Sequence, residues 1–355
     1  MNNPGSVAVY LNSTVILWSS VMIFCGVLLF LTQTLALWKA KNPRSATLGC
    51  FFPLAIILSI VLSRAFHWYF NMEQYSASFG AGTFASISTA FTRFDIGSFC
   101  MPGVIIGIML AAGITSLLGF SSTAGRLLDF TAPGLCLLTV FIRLSALFNG
   151  SFIGKRPVEI WLLQRLPFCV QVSDAAGNTS YRLAIFFFEA ILMFIVFLII
   201  RSFFRKKRTT KMYAPCRSTG NVWRMFLVYY SCVEIIMDSL RTDSHLMHFT
   251  YLTSLNAYSA FISFTQVCAV AFLLYVFCYY FICSIASDRF RWKHLVSLVI
   301  FLASLAGVGY FGEYSIQRYG YELSGYIIMA VSLFAIILNI SALRVSCEPE
   351  PDYYE

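Results

Sequence analysis

Charge is what this sequence lacks. Only 12% of its 355 residues are Asp, Glu, Lys or Arg while 59% are hydrophobic, against about a quarter charged in ordinary globular chains. A chain so composed cannot clothe a water-facing surface, which excludes a soluble fold. Also lacking are an internal repeat of fixed period, a low-complexity tract and a Pro/Gly-rich linker, so solenoid arrays and separately folded soluble modules are excluded too. The 11 cysteines include no CxxC pair and sit mostly inside hydrophobic runs. They read as small packing residues, not as a disulfide framework or metal centre. No basic stretch precedes the first hydrophobic run, whose first charge is Lys39, so the first helix is expected to be retained rather than cleaved as a secretory signal.

What is present is a series of apolar stretches. A membrane-crossing helix needs about 20 such residues, and they recur near 14–38, 46–68, 96–118, 130–149, 183–204, 222–240, 258–285, 294–312 and 323–343. The sequence therefore predicts an all-α, polytopic membrane helix bundle with nine spans. Lys39, Lys41 and Arg44 behind the first span place the N-terminus outside. Alternation then puts Arg201–Arg224, Arg289–Lys293 and the acidic tail Glu348–Glu355 in the cytoplasm, and the two longer loops, Asn71–Asp95 and Gly150–Tyr181, on the outer face. A site in the outer half of the bundle follows. The net charge of +9 owes much to the block Arg201–Lys211, directly after a span. That position suits anionic headgroups of membrane lipids and not nucleic acid.

Five ionisable residues fall inside spans: Arg64, Arg143, Glu189, Glu234 and Asp238. Each costs a few kcal/mol in lipid and is expected to face the bundle interior. One reading is simple interhelical pairing, for example of Arg143 with Glu189 or Glu234. A sharper reading follows from the surroundings of Arg143, which is followed by Asn149, Gly150 and Gly154. Asn149 lies nearly two helical turns on and faces a similar direction, and the glycines let backbone approach a ligand. A guanidinium at this depth suits the oxygens of a lipid phosphate.

Glu234 and Asp238 share a helical face, with Arg241 and Asp243 beyond them. Paired carboxylates could carry acid/base work, or could balance Arg64, Arg143 or Arg241. His245 and His248 are three apart with no third ligand nearby, which argues against a metal. Gly103 and Gly107 form a GxxxG step that predicts close helix packing, and Met101-Pro102-Gly103 is expected to break or kink the third helix.

These elements, in this order, resemble the prolipoprotein diacylglyceryl transferases. That family's fourth helix carries a signature of the form D-x-x-A-P…G-R-x-G-N-F-x-N-G-E-x-x-G-R. Asp129, Ala132, Pro133, Arg143, Asn149, Gly150 and Gly154 match it without a gap, with Lys155 in place of the final arginine. A later family segment, R-F-F-I-E-G-L-R-T-D-S, is repeated at its end by Leu240 to Ser244. The resemblance covers about the first 285 residues.

It implies seven family-like spans in a transferase-like domain, residues 1–285, followed by two additional C-terminal spans and the cytoplasmic tail, residues 286–355. It further implies a bacterial plasma-membrane enzyme. The reaction moves the diacylglyceryl group of phosphatidylglycerol onto the lipobox cysteine thiol of prolipoproteins, with no cofactor. Arg143 would clamp the phosphate, Asn149, Gly150 and Gly154 would bind the lipid, and Asp238 and Arg241 would assist.

Other positions depart from the pattern. The glycine and asparagine after the signature arginine become Ser145 and Ala146, and its glutamate becomes Ser151. The second segment's arginine and glutamate become Glu234 and Asp238, a family histidine or tyrosine falls on Pro102, and an I-R-W-Y-G element appears as Ile16 to Ser20 without its arginine and tyrosine. Those losses point to an alternative, a non-catalytic phospholipid- or lipoprotein-binding paralogue; further off, the intramembrane charges and the broken third helix suit a transporter or channel, which the lack of an internal repeat opposes. If turnover survives, Tyr69, Tyr75 or His67 are candidates for the replaced base.

Overall fold

The computed structural model describes residues 7–11, 14–41, 46–70, 100–119, 123–164, 168–173, 179–204, 219–241, 262–288, 291–316 and 322–347. Nine long helices lie among them: α1 (Trp18–Lys41), α2 (Ala46–Phe70), α3 (Met101–Leu117), α4 (Ala124–Asn149), α5 (Ile185–Ser202), α6 (Asn221–Leu240), α7 (Phe264–Asp288), α8 (Trp292–Ala306) and α9 (Glu322–Cys347). Each falls on one of the nine apolar stretches. Seven are long and apolar enough to cross a membrane, α8 when taken with its continuation to Tyr314; α3, with 17 residues, is shorter, and α6 carries Arg224, Glu234 and Asp238. The chain is a polytopic helical membrane protein. A helix pairs its interior backbone polar groups with each other, as lipid demands.

The structure differs from expectation in three places. The first helix begins at Trp18 and not near residue 14, because Val7–Leu11 (β1) and Thr14–Leu17 (β2) pair as antiparallel strands, Tyr10 opposite Val15 and Leu11 opposite Thr14. Both segments are rich in β-branched and aromatic residues, which fit a strand better than a helix. Secondly, Pro102 starts α3 instead of breaking it. It occupies the first turn behind Cys100, where its missing N–H has no intrahelical partner to lose.

Thirdly, the expected loop Gly150–Tyr181 contains a small sheet. Ile153–Pro157 (β3), Cys169–Ser173 (β4) and Thr179–Ala184 (β5) form an antiparallel sheet in the order β3-β5-β4. Cys169-Val170-Gln171-Val172 alternates in polarity, the period-2 pattern of a half-covered strand.

The helices pack as two compact units. One comprises Thr34–Thr131 and Thr219–Trp223. Here the GxxxG step behaves as expected. A Cβ on Gly103 would lie 2.5 Å from the Ser63 Cα, and one on Gly107 would lie 2.6 Å from the Ser59 Cα. The backbones of α2 and α3 touch at these points, and Ser59 donates a hydrogen bond to the Val104 carbonyl at 3.2 Å.

Asp129, the first letter of the signature, does structural work in the same unit. Its two oxygens accept from the backbone N–H groups of Gly220 at 2.6 Å and Trp223 at 2.9 Å. They cap the start of α6 with an anion, where the helix dipole favours one. Arg64 is buried in this unit.

The other unit comprises Met1–Gln33, Ala132–Ser218 and Arg224–Glu355. It holds the sheets, α5, most of α4 and α6, and the last three helices. A π-helical stretch, Gly307–Tyr314, continues α8. α8 and α9 are tied by Ser297 and Asn339, which exchange hydrogen bonds of 2.7 and 2.8 Å. Phe277 of α7 stacks on Phe301 of α8 with ring centroids 3.9 Å apart.

Candidate functional site

The second unit gathers most of the intramembrane charge in one place. Arg143 on α4, Glu189 on α5, and Glu234 and Asp238 on α6 are all at most 3% exposed. The Nε of Arg143 forms an ion pair with Glu189 Oε1, and its Nη2 donates to both oxygens of Glu234 at 2.9 Å. The guanidinium of α4 is thus gripped by carboxylates from two other helices. Among the described residues, its third nitrogen, Nη1, makes no hydrogen bond.

The acids that flank Arg143 are divided by partner. Asp238 Oδ1 pairs with Arg241 Nη1 at 3.1 Å, three residues on and directly after the end of α6, where a cation also suits the helix C-terminus. Asp238 Oδ2 accepts from the hydroxyl of Ser263. Ser263 in turn caps α7. Its hydroxyl accepts from Gln266 N at 3.1 Å, the Gln266 side chain accepts from Ser263 N at 2.9 Å, and Gln266 Nε2 donates to the Ile235 carbonyl. This reciprocal cap locks the end of α6 to the start of α7.

One aromatic residue joins the two cationic groups. Phe152 has a φ of 59°, a left-handed conformation that is uncommon for a bulky residue. Its ring lies 4.4 Å from the guanidinium carbon of Arg143 and 3.8 Å from that of Arg241. Cation–π contacts of this kind are worth about 0.5–2 kcal/mol each, more as they are desolvated. The Phe152 carbonyl accepts from Phe186 N at 3.2 Å, which ties the segment to the start of α5.

The remaining expected site residues lie around this centre. Gly150 follows α4 with a φ of 65° and open space where a Cβ would be, and its N–H bonds back to the Ala146 carbonyl at 2.9 Å. This is a left-handed helix stop that favours glycine. Gly154 bridges to Arg241 across an isolated β-contact. A Cβ there would press within 3.1 Å of Leu183 on β5, so its smallness admits the neighbouring strand. Lys155 and Arg182 follow on β3 and β5.

The side chain of Asn149, residues Thr242 to Ser244, His245, His248, Tyr75 and the loop Asn71–Asp95 lie outside the described residues. Tyr69 and His67 sit near the end of α2 in the first unit. Trp18, from the departed I-R-W-Y-G element, stacks on Phe148 near the end of α4 at 6.3 Å.

Sequence reasoning foresaw that the carboxylates might pair with Arg143, but not that two would do so at once. It missed Phe152, whose position depends on a backbone turn that no local pattern announces. It also missed the Ser263–Gln266 cap, although S-x-x-Q before an apolar run is a readable start signal.

Chemically, the cluster offers a buried arginine whose Nη1 makes no hydrogen bond among the described residues, flanked by carboxylates on two other helices. A desolvated guanidinium is a strong hydrogen-bond donor to phosphate oxygens. The model of the prolipoprotein diacylglyceryl transferase family matches residues 6–310. Similar proteins named phosphatidylglycerol–prolipoprotein diacylglyceryl transferase occur in Prochlorococcus marinus (strain MIT 9312), 25% identical over 250 residues, with 68% of this chain and 81% of the relative covered. One from Streptococcus agalactiae serotype Ia is 25% identical over 248 residues, covering 69% and 86%.

Proposed function

Because the chain belongs to the prolipoprotein diacylglyceryl transferase family, we propose that it transfers the diacylglyceryl group of phosphatidylglycerol to the lipobox cysteine of prolipoproteins. It is a multi-pass protein of a bacterial membrane, and its partners are phosphatidylglycerol, prolipoprotein substrates and the surrounding lipid. In the reaction the cysteine sulfur bonds to the terminal glycerol carbon of the diacylglyceryl group, and the bond from that carbon to the phosphate oxygen breaks. Glycerol phosphate leaves.

The observation that carries this reading is Arg143, buried at the family's signature position with Nη1 uncommitted among the described residues. In this reading Nη1 takes a phosphate oxygen of the lipid and holds the charge that grows on it, a contribution of about 3–4 kcal/mol at a preorganised donor. Asn149 positions the headgroup, and Gly150 and Gly154 shape the backbone beside it. Arg241, held by Asp238, supplies a second positive charge across the Phe152 ring. The N-terminus and the site face outward and the C-terminus lies in the cytoplasm. Residues 1–285 form the transferase-like domain, and residues 286–355 add two helices and the tail.

A second reading, a paralogue that binds phospholipid or lipoprotein without transfer, is favoured by one observation. Glu234 stands where the resemblance places an arginine, and it occupies Nη2 of Arg143 instead of helping to bind an anion. Purified protein given phosphatidylglycerol labelled in its acyl chains and a lipobox peptide separates the two. Label on the peptide that disappears with Arg143→Ala supports transfer. Bound phosphatidylglycerol without labelled peptide supports the paralogue.

A further inference from the structure

Among the described residues, the exposed large apolar side chains lie on the long helices, at their caps or on the π-helical stretch, with one exception. The run Ile160-Trp161-Leu162 sits between β3 and β4, and its side chains are 59%, 65% and 56% exposed. On the spans such exposure is ordinary, because lipid covers it. Away from them, a contiguous apolar patch marks a surface with an occupant.

The run is held in shape. Trp161–Gln164 forms one helical turn, in which Gln164 N donates to the Ile160 carbonyl at 3.2 Å. The Gln164 side chain reaches back to donate to the Val158 carbonyl at 2.6 Å, and Val158 N donates to the Tyr181 carbonyl at 2.7 Å, which roots the turn on β5. The other end of β3 meets the arginine site, through Phe152 and the contact of Gly154 with Arg241.

Three features select the occupant. Successive residues of a helical turn point about 100° apart, so three exposed in a row sweep round the turn and do not form the single stripe that one partner helix would cover. A fluid that surrounds the turn covers all three. Connectivity is the second feature. The segment leaves α4 at Asn149 and returns to α5 at Ile185, and both helices are spans, so its two ends are fixed at one face of the membrane. The third is charge. Among the described residues of the sheet and its connections, Lys155, Arg156 and Arg182 stand against one acid, Glu159. That excess suits anionic headgroups, and a tryptophan suits their depth, since its ring is apolar and its indole N–H is polar.

We propose that Ile160, Trp161 and Leu162 insert into the headgroup layer of the membrane and hold the small sheet against it. The five residues of β3 advance about 17 Å, whereas a headgroup layer is about 5–8 Å deep. The sheet therefore lies along the membrane surface and does not stand upright from it. Anchored in this way, β3 keeps the arginine site at the depth where lipid phosphates lie. The inference needs neither transfer activity nor a particular orientation of the termini, and it is tested without turnover.

The experiment is fluorine NMR of the purified full chain, labelled with 5-fluorotryptophan and reconstituted in phosphatidylglycerol nanodiscs. Of the six tryptophans, Trp161 is assigned by the resonance missing from Trp161→Phe. That resonance is expected to be lost when the nanodiscs contain a phospholipid with a nitroxide at the top of its acyl chain, and to be kept when a gadolinium chelate is added to the water. In Ile160→Glu/Leu162→Glu, which alters only exposed side chains, it is expected to be lost to the chelate instead.

A wild-type resonance lost to the chelate and kept beside the spin-labelled lipid places the turn in water and overturns the inference. One kept under both agents shows that protein covers it, as a second copy of the chain would, and overturns it too. Loss to the chelate that a lipobox peptide prevents assigns the run to the prolipoprotein and not to the membrane. A double variant that still responds only to the lipid overturns the claim that these apolar side chains are the anchor.

Discussion

Replacing Arg143 by methionine removes the guanidinium that both Glu189 and Glu234 contact and leaves a side chain of comparable length. In a buried network the loss of one partner costs more than the network is worth, because the opposite charges are stranded without water. For such breaks the expected destabilisation is about 3–5 kcal/mol, plus about 0.5–2 kcal/mol for the lost stacking on Phe152. Exchanging all three charges for apolar residues, Arg143→Met with Glu189→Leu and Glu234→Leu, strands nothing. Such exchanges are often neutral or stabilising by about 1–4 kcal/mol, so the triple variant is expected to regain most of what the single one loses. The assay is reversible unfolding in mixed micelles by titration with a denaturing detergent, followed by tryptophan fluorescence. A single variant as stable as wild type, or a triple variant no more stable than the single one, would refute the view that Arg143 stands there with two buried acids depending on it.

Two further outcomes follow from the first unit. Gly107→Val sets a branched side chain against the backbone of Ser59, where even a Cβ would come within 2.6 Å; overpacking of this kind costs about 1–3 kcal/mol or more, visible as a lower midpoint in the same titration, whereas Gly113→Val, at a position with open space, should leave the midpoint unchanged within about 1 kcal/mol. Asp129→Ala removes both acceptors from the start of α6 and is expected to destabilise by about 1–2 kcal/mol, with faster amide exchange at Trp223 as the local readout.

Much of the architecture was legible because lipid leaves a strong imprint on sequence. All nine helices lie on apolar stretches, and the glycines at 103 and 107 announced the contact of α2 with α3. What was not legible depends on short segments and on tertiary context. Val7–Leu17 is as apolar as the helix it precedes, so only its β-branched content distinguishes it. The sheet of β3, β4 and β5 lies in a region where polarity suggested a loop. Pro102 was read as a breaker because sequence alone does not say whether a proline begins a helix or interrupts one.

The candidate site was partly visible. Intramembrane charges can be counted from sequence, and Arg143, Glu189, Glu234, Asp238 and Arg241 were all in view. Their partners were not, because pairing depends on which helices face each other. The signature aspartate, Asp129, was in view as a matching letter only, and its role as the cap of α6 came from the structure. Phe152 carries no functional signal in its own identity. It matters because a left-handed turn after Gly150 lays its ring between two arginines.

The most direct measurement is mass spectrometry of a lipobox peptide incubated with the purified protein in phosphatidylglycerol vesicles. The account predicts a peptide heavier by one diacylglyceryl group, attached through a thioether at the cysteine, with glycerol phosphate released in equal amount and neither product formed by Arg143→Ala. An unmodified peptide with the wild-type protein, or equal modification by Arg143→Ala, would contradict it.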